Sequence, residues 1–145
     1  MNSIIPLLAI TFFLTSFVAP AQSQTDKKAN TVQCANLVYG NNKTSVCFSN
    51  KFVKDVNDKT TITTDKKLAA IKLDSEALFE YPFAIMTGEE GFTLTTAQQD
   101  SLRNYLKSGG FVVASSGCSD SKWASSFRKA IKLVFPNKDL QRIKM

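Results

Sequence analysis

Apolar runs separated by polar segments predict four strands along the chain. Two of these runs are continuous and follow a proline or a glycine, namely Phe83–Thr87 and Phe111–Ala114. Continuous apolar runs are typical of strands that are buried on both faces, as in a parallel sheet covered by helices. Val32–Tyr39 and Leu68–Leu73 are mixed apolar runs, and we interpret them as two further strands.

The spacing of apolar residues predicts a short helix between the first two strands. The segment from Ser49 has apolar residues one helical turn apart and predicts a short helix that Asn57-Asp58 ends. Glu76–Phe79 can form at most one helical turn, because Pro82 favours extended geometry in the residue before it.

The next helix carries both a start signal and a stop signal. Thr95 is a suitable N-cap, and Gln98 three residues later completes a capping box. Gly109-Gly110 supplies the C-terminal stop. These signals predict a helix between the two continuous apolar runs.

The last predicted helix is amphipathic and ends before Pro136. Its apolar residues recur at helical spacing and are Trp123, Phe127, Ala130, Ile131 and Val134. We expect this face to pack on the sheet, against partners that include Phe83, Ile85, Val112 and Val113. The other side carries Lys122, Arg128, Lys129 and Lys132, and we interpret it as a solvated face.

Alternating strands and helices of these lengths predict an α/β fold. The expected architecture is a three-layer, flavodoxin-like domain with a parallel sheet in strand order 2-1-3-4. We assign residues 32–145 to this single domain. The sequence stops soon after a helix that should lead into another strand, so we expect it to be truncated at the C-terminus.

The N-terminus has the pattern of an export signal. Residues 1–21 contain no charged side chain, and Ala19-Pro20-Ala21 follows the apolar stretch Ile4–Val18. We predict a signal peptide cleaved after Ala21, followed by a flexible leader at residues 22–31, and a periplasmic or secreted mature protein. An uncleaved membrane anchor is the alternative interpretation.

The formal net charge of +6 is moderate and is compatible with several kinds of partner. We favour solubility as its role, and export makes nucleic acid the least favoured partner. The chain has three cysteines, Cys34, Cys47 and Cys118. A Cys34–Cys47 disulfide and three reduced thiols remain open as alternatives.

Any site should lie at the carboxyl ends of the predicted parallel strands, since ligands bind there in folds of this class. Three loops meet at that edge and begin at Gly40, Gly88 and Ser115. The candidate ligand-binding residues in them are Gly40, Asn41, Gly88, Glu89, Ser115, Ser116 and Cys118.

The sequence contains no histidine, so a serine or cysteine nucleophile has no ordinary base. We therefore expect no catalytic residue. We also expect no metal site, because Glu89-Glu90 is a lone carboxylate pair and the cysteines are scattered. No nucleotide-binding fingerprint is present, and no cofactor is expected.

The segment Ser115-Ser116-Gly117-Cys118 lies where α/β enzymes often place a nucleophile, between a strand and a helix. We expect it to be a connection in which Gly117 supplies a positive φ angle. Cys118 would be near the N-terminus of a helix that starts about Ser119, where the dipole favours a thiolate. Capping by Ser119 or Asp120 would instead leave Cys118 to pack.

Three motifs resemble domain-of-unknown-function family 4159: YPFAIMTG, FTLTTAQQDSLRNYLKSGGF and SSFRKAIKLVFP. The resemblance covers about residues 32–145. It implies a bacterial, often exported protein with a fold like that of class I glutamine amidotransferases. The chain departs from the family pattern at Glu89, where many members have His, and at Ser115-Ser116, where acidic residues are frequent.

These observations favour an exported, non-catalytic α/β domain that binds a small molecule or a protein of the cell envelope through its strand-end loops. We expect no nucleic-acid partner and no stable membrane insertion after signal cleavage. A hydrolase or amidotransferase-related enzyme with catalytic groups beyond residue 145 is the first alternative. An envelope structural or assembly protein that uses the basic helix face is the second.

Overall fold

The computed structural model describes residues 30–40 and 50–143, which form six strands and three α-helices. The strands are β1 (Thr31–Val32), β2 (Cys34–Val38), β3 (Thr63–Thr64), β4 (Ala69–Lys72), β5 (Phe83–Gly88) and β6 (Phe111–Ser116). The helices are α1 (Asn50–Lys59), α2 (Thr96–Lys107) and α3 (Ser121–Val134). Short 3-10 segments span Glu76–Glu80 and Gly117–Ser119. No helix in the described ranges combines the length and apolar character that a bilayer span requires.

The main sheet has four parallel strands in the order β4-β2-β5-β6. Counted along the chain, this is the predicted order 2-1-3-4, so the α/β fold class and its topology are confirmed. Register pairs run across the sheet, with Ala35 opposite Ala84 and Ala84 opposite Val112. All four strands therefore end at the same edge.

Helices cover the sheet on both faces and make it the middle of three layers. Side chains alternate between faces along a strand. On one face Leu37 and Met86 pack in a cluster with Leu102 of α2 and Trp123 of α3. On the other face the ring of Phe83 stacks on that of Phe52 of α1, with centroids 5.8 Å apart. This layering matches the flavodoxin-like prediction.

The apolar face of α3 is confirmed, but most of its predicted partners are wrong. Trp123 and Val134 are buried, and Val112 packs in the same cluster, as expected. The wrong partners are Phe83, Ile85 and Val113, which alternate with Ala84 and Val112 and so face α1's side of the sheet. A continuous apolar run does not show which residues point to which face, because both faces are apolar.

The prediction that β6 is buried on both faces is also wrong. β6 is an edge strand of the described sheet, and Phe111 is 60% exposed. The strand is also longer than expected, since it continues through Ser115 and Ser116. An edge strand has a neighbouring strand on one side only, so its side chains are covered less completely. The residues of the strand do not show whether it lies at the edge or in the middle of the sheet.

Asn57 continues α1 instead of ending it. Its amide donates to Val53 O at 2.9 Å and to Thr64 Oγ1 at 2.6 Å, and its Oδ1 accepts from Thr64 N at 2.8 Å. These bonds tie the helix to β3. In turn β3 pairs in parallel with β1, which includes Thr31 of the predicted leader. No pattern in the sequence predicted this small pair of strands.

The start and stop signals of α2 are confirmed. Thr95 Oγ1 accepts from Gln98 N at 3.2 Å, and Gln98 Oε1 accepts from Thr95 N at 3.3 Å, which completes the capping box. Gly109 has a φ angle of 99°, a conformation that favours glycine. A Cβ atom at Gly110 would come within 2.4 Å of the ring of Tyr105, so a side chain is excluded there.

Candidate functional site

The carboxyl edge of the sheet brings most of the predicted site residues together. Gly88 and Ser116 are register partners at the ends of β5 and β6. Gly40 follows β2 with a φ angle of 52°, and a Cβ atom there would lie 3.4 Å from Thr93 O. Asn41 lies outside the described residues. The described parts of these loops therefore lie at one edge of the sheet, and their role in ligand binding stays a prediction.

A cleft of about 570 Å³ opens at this edge. Its lining comes from the end of β2, the segment between β5 and α2, and one turn of α3: Gly40, Glu90, Gly91, Phe92, Thr93, Thr95 and Ser126. Of these, only Gly40 was among the predicted site residues. Phe92 and Thr93 follow a predicted strand end and could have been proposed from that position, whereas Ser126 joins the cleft only through tertiary folding.

The wall behind the cleft is held by a buried pair of hydrogen bonds. The hydroxyl of Tyr39 donates to Thr87 O at 2.8 Å and accepts from Trp123 Nε1 at 2.7 Å. Phe92 packs edge-on against Tyr39, with ring centroids 4.8 Å apart, and against Trp123 at 5.6 Å. These contacts join the ends of β2 and β5 to α3, so the wall is preorganised.

Ser126 fixes the segment after β5 onto α3. Its Oγ accepts a hydrogen bond from Phe92 N at 3.1 Å. Gly91 lies beside this bond, and a Cβ atom at that position would be 3.4 Å from Ser126 Oγ. The cleft is thus built from backbone, hydroxyl groups, one carboxylate and an aromatic ring, a mixture that suits a polar ligand with an apolar face.

The turn from β6 to α3 differs in detail from the prediction. Positive φ angles occur at Cys118 (48°) and Ser119 (59°) and not at Gly117. The N-cap of α3 is Asp120, whose carboxylate accepts from Trp123 N at 2.7 Å. α3 therefore begins at Ser121 rather than near Ser119. Asp120 caps the helix, as one alternative predicted, but the packing of Cys118 that went with it is wrong, because Cys118 is exposed.

The exposed Cys118 lies at this turn, next to the carboxyl edge. Its left-handed backbone is uncommon for a residue with a side chain and costs about 1–3 kcal/mol when the surrounding structure imposes it. Ser115 and Ser116 lie within β6 and are partly buried. Glu89, on the neighbouring loop, is exposed. The described part of the edge therefore presents the Cys118 thiol and several hydroxyl groups.

Cys34 is remote from this edge, because it begins β2. Its side chain is buried, and its thiol donates to Val32 O at 3.8 Å. Burial raises the pKa of the Cys34 thiol, and the negative charge of Asp65 adds to the effect. Cys47 lies outside the described residues, so the Cys34–Cys47 disulfide stays a prediction.

Within residues 30–40 and 50–143, no group of three His, Cys, Asp or Glu side chains is arranged to hold a metal ion.

A comparison with models of protein families shows which family the chain belongs to. The model of the family described as Domain of unknown function (DUF4159) matches residues 33–145. The chain belongs to this family. The match covers every element from β2 to α3, including all the loops of the carboxyl edge. A comparison with curated proteins found no match.

Proposed function

We propose that this chain is an exported, non-catalytic α/β domain that binds a ligand or partner at the carboxyl edge of its sheet. The observation that carries the proposal is the cleft at that edge, with its preorganised aromatic wall and its polar rim. Parallel α/β sheets bind their ligands at this edge. Export is supported by the uncharged residues 1–21 with their Ala19-Pro20-Ala21 motif.

The chemistry of the edge favours binding over catalysis. The sequence has no histidine, and residues 88–91 and 115–119 contain no lysine, while the connection between β2 and α1 includes Lys43. A serine or cysteine there would need another group to remove its proton. The hydroxyl and backbone groups of the cleft can still bind a polar ligand without any proton transfer.

Binding can be tested through Trp123, the single tryptophan, because it lies behind Phe92 of the cleft. We expect some members of a panel of sugars, amino acids and dipeptides to change its fluorescence and to raise the melting temperature. In the Thr93→Arg variant a long side chain would occupy the cleft, so both responses should be lost for those compounds.

Thr61→Arg is the matched control, since Thr61 is exposed and remote from the cleft lining. It introduces the same charge and side chain and should leave the responses unchanged. An equal loss in both variants, or no response to any compound of the panel, would contradict the proposed cleft. Turnover of a bound compound would instead support an enzyme.

The competing function is a hydrolase or amidotransferase-related enzyme, and the exposed Cys118 with its left-handed backbone favours it. The relation to class I glutamine amidotransferases belongs to this alternative. Iodoacetamide labelling of the full chain between pH 5 and 9 and treatment with a fluorophosphonate separate the two functions. We expect Cys118 to react as slowly as an ordinary free thiol across this range, and we expect no saturable serine labelling. Fast labelling of Cys118 at the acidic end of the range would favour the enzyme.

A further inference from the structure

The net charge of the chain is concentrated in one segment. Residues 121–145 hold seven of the 18 Lys and Arg residues and one of the 12 Asp and Glu residues, so their net charge of +6 equals that of the whole chain. The remaining 120 residues are neutral overall. Such an asymmetry within one domain indicates a surface that meets an anionic partner.

α3 carries much of this charge on its outward side. It contains no acidic residue, and its four basic side chains are all exposed: Lys122, Arg128, Lys129 and Lys132. The opposite side of the helix is fixed on the sheet by the buried residues Trp123, Ala130 and Val134. The orientation of the basic side is therefore set by the core of the domain.

An exposed aliphatic residue adjoins the basic side at the end of the helix. Leu133 is 55% exposed and follows Lys129 by one helical turn. Lys122 precedes Lys129 by two turns on the same side. Leu133 thus adds an exposed aliphatic side chain beside two lysines.

The segment after α3 continues this surface. Lys132 Nζ binds Asp139 Oδ1 at 2.7 Å, which holds the segment against the helix. There Leu140 is 58% exposed and borders a groove of about 250 Å³ together with Arg128. Ile143 is 88% exposed. Basic and aliphatic side chains thus occur together on both parts of this surface.

We propose that the outward side of α3 and residues 138–143 form a docking surface for an anionic lipid bilayer. Lysine and arginine near a bilayer are attracted by anionic headgroups, while aliphatic side chains bury at the boundary between headgroups and acyl chains. A single-stranded nucleic acid would call for exposed aromatic rings on which bases stack. The exposed apolar side chains of this surface, Leu133, Leu140 and Ile143, are aliphatic.

This surface differs from the strand-end cleft and goes beyond the proposed function. Its basic and aliphatic residues are not among the cleft lining, to which α3 contributes Ser126, and Lys122 adjoins the cleft only through its Cβ atom, 3.9 Å from where a Cβ atom at Gly91 would lie. Filling the cleft in the Thr93→Arg variant should leave lipid binding unchanged. A failure of ligand binding at the cleft therefore does not imply a failure of lipid binding by this surface, and the reverse also holds.

The test is co-sedimentation of the full chain with vesicles of phosphatidylcholine, with and without phosphatidylglycerol. The apolar residues 4–18 are common to all variants, so the measured quantity is the difference between anionic and neutral vesicles. We expect the wild type to prefer anionic vesicles. Lys122→Gln with Lys129→Gln should lower the partition coefficient onto them about 30-fold, as expected for two basic residues close to a charged bilayer.

Lys66→Gln with Lys67→Gln is the matched control, because both side chains are exposed and precede β4, outside α3. It changes the net charge equally and should lower the partition coefficient far less. Leu133→Gln should weaken binding to anionic vesicles, whereas Ile62→Gln, at a residue 50% exposed outside this surface, should not. Circular dichroism of each variant confirms that the fold is retained.

Three results would overturn the proposal. The first is equal binding to neutral and anionic vesicles. The second is an equal loss in the two lysine pairs, which would indicate attraction by overall charge alone. The third is a preference for an oligonucleotide or an acidic polypeptide over the vesicles in competition, with Leu133→Gln binding as the wild type does.

Discussion

At the scale of single residues, the hydroxyl of Tyr39 is the most informative group. It lies at the end of β2 and connects the backbone of β5 to the indole of α3. Tyr39 is buried, with 2% of its surface exposed, so both hydrogen bonds are shielded from water. A buried donor or acceptor that loses its partner bears the full desolvation cost, whereas the intact bonds contribute less.

Tyr39→Phe should therefore destabilise the fold. The substitution retains the ring and its contact with Phe92 but leaves the indole N–H of Trp123 without this acceptor. We expect the free energy of unfolding to fall by about 1–3 kcal/mol. Urea titration followed by circular dichroism measures this change.

Tyr81→Phe is a suitable control. Tyr81 is half-buried, and its hydroxyl makes no hydrogen bond within the described part of the chain. We expect its free energy of unfolding to change by less than about 0.5 kcal/mol. If both variants had the same stability, the buried hydrogen bonds of Tyr39 would not contribute to it.

At the scale of elements, the apolar face of α3 is the feature that both sequence and structure support. Its periodicity predicted which side packs on the sheet, and Trp123 and Val134 are indeed buried. Phe127 is partly buried and stacks on Trp123, with ring centroids 5.4 Å apart and the planes 7° from parallel. Phe127 thus joins α3 to the aromatic cluster behind the cleft.

Phe127→Ala should destabilise the protein by about 3 kcal/mol, the lower end of the range for a buried aromatic, because Phe127 is only partly buried. Leu133→Ala on the exposed side of the same helix is the control, and we expect a change below about 1 kcal/mol. Chemical denaturation of the wild type and the two variants measures both changes in the free energy of unfolding. A smaller loss for Phe127 than for Leu133 would show that the helix packs by its other side.

At the scale of the whole molecule, the chain combines an N-terminal segment with the features of an export signal and one α/β domain. Residues 1–21 lie outside the described part of the chain, so their role stays a prediction from composition. The domain includes residues 33–145, which match the family. Export would place the strand-end cleft and the basic surface of α3 outside the cytoplasm.

We expect signal peptidase to cleave after Ala21. Mass spectrometry of the protein recovered from the periplasm or medium of an expressing bacterium should give an N-terminus at or near Gln22. Replacing Ala19 and Ala21 by a bulky residue should block cleavage, since the enzyme requires small residues there. Recovery of intact Met1 in the membrane fraction of cells that express the unaltered chain would support the alternative of an uncleaved anchor.

The sequence by itself determined the order of the main elements and the fold class. The capping box at Thr95 and Gln98 and the amphipathic period of α3 are local signals, and local backbone and side-chain preferences suffice to interpret them. The strand order was predicted by analogy with flavodoxin-like folds, in which the order 2-1-3-4 is common, and it agrees with the observed sheet. The position of the carboxyl-edge loops then followed from the topology.

Only the tertiary structure decided which face each strand residue occupies and how the site is built. Ile85 and Val113 were assigned to the wrong face because both faces of a buried strand are apolar, and the edge position of β6 depends on its neighbours rather than on its residues. Ser126 and Tyr39 belong to the cleft and its wall through contacts between residues 34 and 84 positions apart in the chain. Such contacts arise from packing, and no local pattern encodes them.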